Sequence, residues 1–383
     1  MSTPEFPRIE ASVVVAKPAL AQILKNLQGA GFTLVGPTRR DDAIQLEEIS
    51  GVEDLPRGWT EEYGAGYYRL KKISDTVYFA YGPGPHSWKR FLYPSHQKLL
   101  TVKRNDGKWT FEPVEDRVPR YAFIGMRSCD VSAIGVLDRV FLGGDFRDPH
   151  YARRRASMFI LTVWCTHAAT TCFCASMKAG PQVQTGFDLA FTEMPDKFLV
   201  RVGSEVGAEM LAGTDWVPAS AYILGQARKA HQQSEKEQKR QIRTDGLPKT
   251  LYDNLEHPRW EQVGRRCLSC GNCTLACPTC FCSTVEDTSN LNASECERTR
   301  VWDSCFTLDF SHVNGGNTRP ATRARYRQWL THKLASWIDQ FGVSGCVGCG
   351  RCITWCPVGI DITEEAGALM EKPATSGAEG AAR

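Results

Sequence analysis

Two groups of cysteines with the same spacing stand out in the C-terminal third of the sequence. Each reads C-x2-C-x2-C-x3-C-P, and the eight cysteines are Cys267, Cys270, Cys273, Cys277, Cys346, Cys349, Cys352 and Cys356. Three thiolates at this spacing can wrap around one cubane of iron and sulfur, which makes the pattern typical of [4Fe-4S] binding. The sequence therefore predicts two [4Fe-4S] clusters.

The fourth cysteine of each group precedes a proline and is expected to reach the neighbouring cluster rather than its own. We predict one cluster held by Cys267, Cys270, Cys273 and Cys356, and another held by Cys346, Cys349, Cys352 and Cys277. Structural zinc is the first alternative, but zinc sites use two separated pairs of ligands. Disulfides are the second, and nothing in the sequence indicates the secreted chain in which they form.

Four more cysteines lie in the N-terminal half. Cys129 and Cys165 each follow a predicted buried strand, at residues 121–126 and 158–164, and a predicted helix at 131–141 joins the two strands. This order favours parallel neighbours, whose carboxyl ends gather ligand sites at one edge of a sheet. The two thiols are therefore expected to lie close together.

A glycine-flanked loop then carries Cys172 and Cys174 within Thr-Cys-Phe-Cys. Together with Cys129 and Cys165 they predict a third [4Fe-4S] centre, which we expect to be the one most exposed to a partner. Four buried, redox-inert thiols are the alternative.

Four cysteines remain outside these sets, and two of them follow the first motif closely. Cys280 and Cys282 repeat the tetrapeptide Thr-Cys-Phe-Cys, Cys305 follows Trp-Asp-Ser, and Cys296 stands alone. Thiols beside a cluster commonly line its pocket and adjust its potential. We interpret Cys280, Cys282 and Cys305 in this way, with direct ligation as the less favoured alternative.

Composition limits the class of protein. The chain has 383 residues, of which 42% are hydrophobic and 23% charged, so it is long enough for two or three globular domains. The formal charge of +3 would be offset by the negative clusters, and the basic residues form no nucleic-acid motif. No segment approaches the ~20 apolar residues of a membrane span. We expect a cytoplasmic protein that binds neither membrane nor nucleic acid.

The pattern of elements predicts an α+β chain in two domains. Residues 1–216 are expected to form a mixed α/β domain with the third cluster site, and residues 217–370 a domain with two clusters that resembles an α-helical ferredoxin. Apolar residues at helical spacing over 326–341 predict an amphipathic helix between the two motifs. A compact bacterial ferredoxin has no room for this insert. Residues 371–383, rich in Ala, Gly, Ser and Glu, are expected to be a disordered tail.

Motifs of catalysis and nucleotide binding do not appear. The sequence contains no G-x-G-x-x-G between a strand and a helix and no P-loop, and its histidines are scattered. We therefore predict a non-catalytic electron carrier. The alternative is a redox enzyme or sensor that uses the N-terminal cysteines as a reactive centre. Arg351 and Trp355, which lie beside cluster cysteines, are expected to contact a partner.

The cysteine segments together resemble one family. Residues 125–130 (GMRSCD), 171–174 (TCFC), 267–282 (CLSCGNCTLACPTCFC), 301–305 (VWDSC) and 345–357 (GCVGCGRCITWCP) carry the likeness. The chain resembles the iron-sulfur β subunit of cytosolic nickel-iron sulfhydrogenases, and equally the A subunit of anaerobic sulfite reductase. Its second domain looks like the α-helical ferredoxin of fumarate reductase iron-sulfur subunits.

The resemblance implies partners as well as a fold. It implies an electron carrier between a flavoprotein, which binds NAD(P)H and a [2Fe-2S] cluster, and a terminal catalytic unit. That unit would be the small and large subunits of a hydrogenase, or a sulfite-reducing subunit. Of the two we favour the hydrogenase.

Overall fold

The computed structural model describes residues 6–114 and 118–371. The predicted tail at 371–383 lies, apart from Glu371, outside the described residues. The strands are β1 (Ser12–Ala16), β2 (Thr33–Arg40), β3 (Ala43–Glu48), β4 (Trp59–Gly64), β5 (Tyr67–Lys72), β6 (His96–Asn105), β7 (Lys108–Pro113), β8 (Tyr121–Arg127), β9 (Phe159–Val163), β10 (Leu189–Glu193), β11 (Lys197–Val202), β12 (Val217–Pro218), β13 (Ser283–Ser289), β14 (Glu295–Trp302), β15 (His312–Val313) and β16 (Gly316–Asn317).

Helices lie on both sides of these strands and dominate the C-terminal part. They are α1 (Ala19–Gly29), α2 (Lys89–Leu92), α3 (Ser128–Phe141), α4 (Pro149–Ala156), α5 (Glu205–Glu209), α6 (Ala221–Lys236), α7 (Leu247–Asp253), α8 (Arg259–Arg266), α9 (Asn272–Leu275), α10 (Thr322–Thr331), α11 (Trp337–Phe341), α12 (Arg351–Thr354) and α13 (Ile362–Met370). Short 3-10 turns occur at Val52–Asp54 and Asp309–Ser311, and a π-helical turn at His332–Ser336. The predicted α+β class is confirmed.

The N-terminal part is organised on a sheet that has eight strands within the described residues, in the order β12-β1-β11-β10-β9-β8-β2-β3. Its centre is parallel, since β8 pairs with β9, β9 with β10 and β2 with β8 in parallel. The predicted strand–helix–strand unit is therefore confirmed as β8, α3 and β9. Strand β9 is buried along its whole length, which explains its continuous apolar sequence. Cys129 and Cys165 follow β8 and β9 at one edge of this sheet.

A second sheet connects distant parts of the chain. It has the order β13-β14-β6-β7, so a hairpin that lies between the two cysteine motifs pairs with strands from the N-terminal half. Cys296 lies in β14 opposite Val102 of β6. The division of the chain at residue 216 stays a prediction, and in this sheet β14 pairs with β6 across it.

The C-terminal helices enclose an apolar core beside the cysteine motifs. Trp260, Tyr326, Trp329, Leu330 and Leu334 are all buried in it. The helix predicted at 326–341 is present as α10 and α11, but the π-helical turn interrupts it. No helix in the described stretches of the chain has both the length and the apolar character needed to cross a membrane.

Candidate iron-sulfur centres

The first motif forms a loop between α8 and α9. Cys267 caps the end of α8 by donating its backbone N–H to the Val263 carbonyl at 3.0 Å. Two residues on, the backbone N–H of Ser269 donates to the Cys267 sulfur at 3.4 Å. Gly271 then takes a φ of +77° at the start of α9, a conformation that favours glycine. The loop thus curls around its own cysteines.

The second motif repeats this loop residue by residue. The backbone N–H of Gly348 donates to the Cys346 sulfur at 3.4 Å, and Gly350 takes a φ of +77° at the start of α12. Downstream, the Cys356 sulfur accepts from the Ile360 N–H at 3.3 Å. Backbone N–H groups aimed at cysteine sulfur are what an iron-sulfur cluster needs, because they stabilise thiolate charge.

One cavity gathers the first predicted ligand set. Apart from its cysteines, its wall is largely apolar, with Phe306, Tyr326 and Trp329. Cys356 comes from the second motif and yet faces the first. The cysteines that line the cavity are Cys267, Cys270, Cys273, Cys352 and Cys356.

The second predicted set is also brought together. Burial raises the pKa of the Cys352 thiol well above its ordinary value, and the neighbouring Cys346 and Cys349 thiols add to the rise. Cys277 contributes to the same rise in pKa, although it belongs to the first motif. Cys273 adds a smaller contribution, so this second set lies next to the first.

The N-terminal set lies on the other side of the second motif. Burial raises the pKa of the Cys172 thiol well above its ordinary value. The neighbouring thiols of Cys174 and Cys165 raise this pKa further. The pKa of Cys129 is likewise raised by burial, then by Asp130, and then by the thiols of two further cysteines. Those two are Cys349 and Cys174. Cys349 therefore connects the N-terminal set electrostatically to the second motif.

Backbone contacts hold this arrangement closely packed. The Phe173 N–H donates to the Gly348 carbonyl at 2.9 Å, so the Thr-Cys-Phe-Cys loop lies directly on the second motif. A Cβ at Gly348 would come within 2.6 Å of the Phe173 carbonyl carbon, and one at Gly350 within 2.5 Å of the Thr171 oxygen. Only glycine permits this approach of two backbones.

A buried ion pair joins the same two segments. Arg351 of the second motif binds Asp130, the neighbour of Cys129, through contacts of 2.9 and 3.0 Å, and both side chains are 2% exposed. The prediction that Arg351 contacts a partner protein is wrong, because its side chain lies inside the chain. The expectation that the N-terminal set is the most exposed is also wrong: Cys129, Cys172 and Cys174 are buried, while Cys270 is exposed.

Three features of these sites fit iron-sulfur clusters: a cavity lined by thiols at the first set, N–H groups directed at sulfur, and glycines that let the loops approach. A cluster of this type would supply reversible one-electron exchange. Among the described residues, no group of three or more His, Cys, Asp or Glu is arranged to hold a single metal ion.

Comparisons with known proteins agree with this chemistry. A family described as a 4Fe-4S dicluster domain matches residues 266–360. The beta subunit of sulfhydrogenase 2 from Pyrococcus furiosus is 30% identical over 329 residues, which cover 85% of this chain and 89% of the relative. The chain belongs to the sulfhydrogenase beta-subunit family. No solved structure matches it significantly.

Membership of the sulfhydrogenase beta family and the dicluster domain together support an iron-sulfur electron-transfer subunit. The resemblance predicted from the cysteine segments is therefore confirmed. The dicluster match lies within the predicted ferredoxin-like region of 217–370 and contains both C-terminal motifs.

Sequence reasoning missed two buried lysines in this sulfhydrogenase beta-type fold. Lys333 is 2% exposed and donates to the Cys277 sulfur at 3.4 Å. Lys89 is 4% exposed, donates to the Cys280 carbonyl at 2.8 Å, and lies over the Trp302 ring at 4.0 Å. The sequence did carry one signal, since Lys333 falls on the apolar stripe of 326–341.

The two lysines differ in how their surroundings act on them. Burial pushes the pKa of Lys333 down, but the Cys277 and Cys280 thiols outweigh it and raise that pKa well above its ordinary value. Burial dominates at Lys89 and lowers its pKa, although nearby thiols oppose it. Cys280 and Cys282 lie near both lysines, and Cys305 lies near Lys333. The interpretation of these three cysteines as residues that line a cluster pocket stays a prediction.

Proposed function

We propose that this chain relays single electrons through three [4Fe-4S] clusters in a cytoplasmic complex. An NAD(P)H-linked flavoprotein with a [2Fe-2S] cluster stands at one end of the relay, and the small and large subunits of a nickel-iron hydrogenase at the other. The observation that carries the proposal is the closeness of the three cysteine sets. Cys352 of the second set lines the cavity of the first set, and the Cys172 sulfur of the N-terminal set lies 3.9 Å from the Cys349 carbonyl of the second.

The residues of the chain act here as ligands and spacers. The first cluster would be held by Cys267, Cys270, Cys273 and Cys356, the middle one by Cys346, Cys349, Cys352 and Cys277, and the third by Cys129, Cys165, Cys172 and Cys174. The cavity that joins Cys356 to the first motif supports this crossed assignment. Glycines at 348 and 350 keep the middle and third sites adjacent, and the buried surroundings exclude water.

Several features favour a relay over a redox enzyme. We find no G-x-G-x-x-G or P-loop in the sequence, and Asp130, the carboxylate next to Cys129, is held in an ion pair by Arg351. The relative is a sulfhydrogenase subunit, which favours a hydrogenase over a sulfite-reducing terminal unit.

Electron uptake tests the relay. The purified chain should accept electrons from dithionite but should oxidise no NAD(P)H, take up no hydrogen and reduce no sulfite. Addition of the flavoprotein should then allow NAD(P)H to reduce the clusters. Reduction of the clusters by NAD(P)H in the isolated, flavin-free chain would contradict the proposal.

Iron content tests the number of clusters. Anaerobic analysis should give about 12 Fe per chain, and about 8 Fe in a Cys172→Ser, Cys174→Ser double variant. A matched variant, Cys296→Ser, changes a cysteine outside all three sets and should leave the value unchanged. About 8 Fe in the unmodified chain, with spectra that the double variant does not alter, would exclude the third cluster.

Substitution of each cysteine that precedes a proline tests crossed ligation. Cys277→Ser should alter the paramagnetic signal of the middle cluster, and Cys356→Ser that of the first cluster. Variants of Cys346 and Cys267, one from each set, provide the reference spectra. Signals that change within each cysteine's own motif would show that the two motifs are self-contained.

A further inference from the structure

Lys333 meets three acceptors at the heart of the proposed middle site. Its ammonium donates to the Cys277 sulfur at 3.4 Å, to the Thr279 hydroxyl at 3.2 Å and to the Gly345 carbonyl at 3.0 Å. The Thr279 hydroxyl in turn donates to the Gly345 carbonyl at 2.6 Å, which leaves its oxygen free to accept. Three acceptors match the three donors of a charged ammonium.

The backbone conformation around Lys333 fixes its position beside the second motif. Lys333 lies in the π-helical turn His332–Ser336, and such turns occur frequently at functional sites. The Lys333 carbonyl accepts a hydrogen bond from the Gly345 N–H at 2.9 Å. Lys333 and Gly345 are therefore joined by two hydrogen bonds, one from each residue. Gly345 directly precedes Cys346. The extra residue of the π-turn thus fixes Lys333 against the first residues of the second motif.

The charge of Lys333 is not cancelled by a carboxylate. No Asp or Glu side chain in the described parts of the chain forms an ion pair with it, whereas Arg351 of the second motif is paired with Asp130. Dissolved salt screens an ammonium that is 2% exposed much less than one at the surface. A positive charge that is buried and unpaired needs a negative partner, and the proposed cluster with its thiolates is the one at hand.

We infer that Lys333 sets the reduction potential of the middle cluster and holds it above the value that the cysteines alone would give. This inference rests on the proposed function. Reduction transfers one electron to the cluster and breaks no bond in the protein, so its only immediate consequence is one more negative charge. A cation in contact with a ligand sulfur stabilises that more negative state, and net charge and hydrogen bonds to sulfur are established determinants of cluster potential. The middle cluster is then reduced more readily than it would be without Lys333.

A potentiometric titration of Lys333→Met tests the inference. Methionine keeps the length and apolar stem but removes the charge, so the midpoint of one cluster should fall while the others stay in place. We expect about a tenfold loss in its equilibrium constant for reduction by dithionite, equal to about 59 mV for one electron. Paramagnetic resonance at each potential identifies the cluster, and iron content confirms that all clusters are present.

Lys89→Met is the matched control, since Lys89 is as deeply buried but contacts a carbonyl rather than a ligand sulfur. It should shift the same midpoint by less. If Lys333→Met cannot retain iron, Thr279→Val decides, because it removes a hydroxyl that lies 3.1 Å from the Cys277 sulfur and supports the lysine. A lower midpoint in that variant supports the inference.

Unchanged midpoints in a fully loaded Lys333→Met protein would overturn the inference, and so would an unchanged midpoint in Thr279→Val where that variant decides. The relay itself would still stand if the unmodified chain accepts electrons from dithionite and Cys277→Ser alters the middle cluster. Loss of those two results would instead reject the proposed function, so the two failures are distinguishable.

Discussion

The two cysteine motifs share their spacing and their loop but differ in their surroundings. In each motif, the sulfur of the first cysteine accepts a hydrogen bond from the backbone N–H of the residue two positions later. A glycine with a φ of +77° then begins a short helix. Cys270 of the first motif is nevertheless exposed, whereas the equivalent Cys349 is buried beneath the N-terminal loop. Local spacing therefore determines how a motif can hold a cluster. The rest of the chain determines how far the cysteines of that motif are exposed.

The largest expected difference concerns the residue after the glycine, which is Asn272 in the first motif and Arg351 in the second. Arg351→Ala should lower the free energy of unfolding by about 3–5 kcal/mol, because it leaves Asp130 charged and buried without a partner. Asn272→Ala removes one exposed hydrogen bond to the Trp355 carbonyl and should cost about 0.5–1.5 kcal/mol. Anaerobic thermal denaturation followed by circular dichroism measures both.

A double variant controls for the loss of packing. Arg351→Met with Asp130→Leu removes both charges and should recover part of the stability lost in Arg351→Ala. Equal effects of Arg351→Ala and Asn272→Ala would mean that the buried pair does not distinguish the motifs.

The glycines themselves give the next comparison. Gly271→Ala and Gly350→Ala should share a cost of about 1–2 kcal/mol, because both positions have the same left-handed conformation. Gly350→Ala should cost about 1–3 kcal/mol more, since its Cβ would lie 2.5 Å from the Thr171 oxygen. The nearest atom at Gly271 is the Ser304 hydroxyl at 3.2 Å, which can move aside.

Thermal denaturation with parallel iron analysis should show this difference. In Gly350→Ala, iron should also be lost from the N-terminal site at a lower temperature than from the first motif. Identical melting temperatures would indicate that the two loops are not packed as tightly as their geometry suggests.

Sequence alone could predict the features that depend on neighbours in the chain. The spacing of the ligands is a property of each motif by itself. The buried strands β8 and β9 are recognisable from their unbroken apolar runs. Hairpin β13–β14 was missed because β13 is polar and almost wholly exposed, so it has no apolar alternation to recognise. Its pairing depends on β6, which lies far away in sequence.

The role of Lys333 could be suspected but not assigned. Its position on an apolar stripe, three residues after Leu330 and four before Trp337, is a visible anomaly for a lysine. The sulfur it contacts belongs to Cys277, 56 residues away, and only the fold brings the two together. The π-turn that displaces the helix leaves no mark in the spacing of the apolar residues.

The residue after each first cysteine offers a smaller contrast. Val347 is 4% exposed and packs among residues of the N-terminal site, whereas Leu268 at the equivalent position is 62% exposed. Val347→Ala should cost about 1–2 kcal/mol for the two buried carbon groups it loses. Leu268→Ala should stay within about 0.5 kcal/mol of the unmodified chain. Denaturation under anaerobic conditions checks both, and a larger loss at Leu268 would contradict the assignment of the first motif to the surface.

The smallest expected effect would identify the partner at the exposed end of the relay. A partner that takes electrons at the first motif must come close to Cys270, and it would then cover Leu268, since the two lie on the same loop. Leu268→Ala should weaken the binding of that partner by about 1 kcal/mol, or about fivefold in Kd, without a change in melting temperature. Titration calorimetry with the flavoprotein and, separately, with the hydrogenase subunits measures the change. One of the two should lose affinity and the other should not, because they would dock at opposite ends. Unchanged affinity for both would mean that electrons leave the chain elsewhere, and the exposed first motif would no longer be the end of the relay.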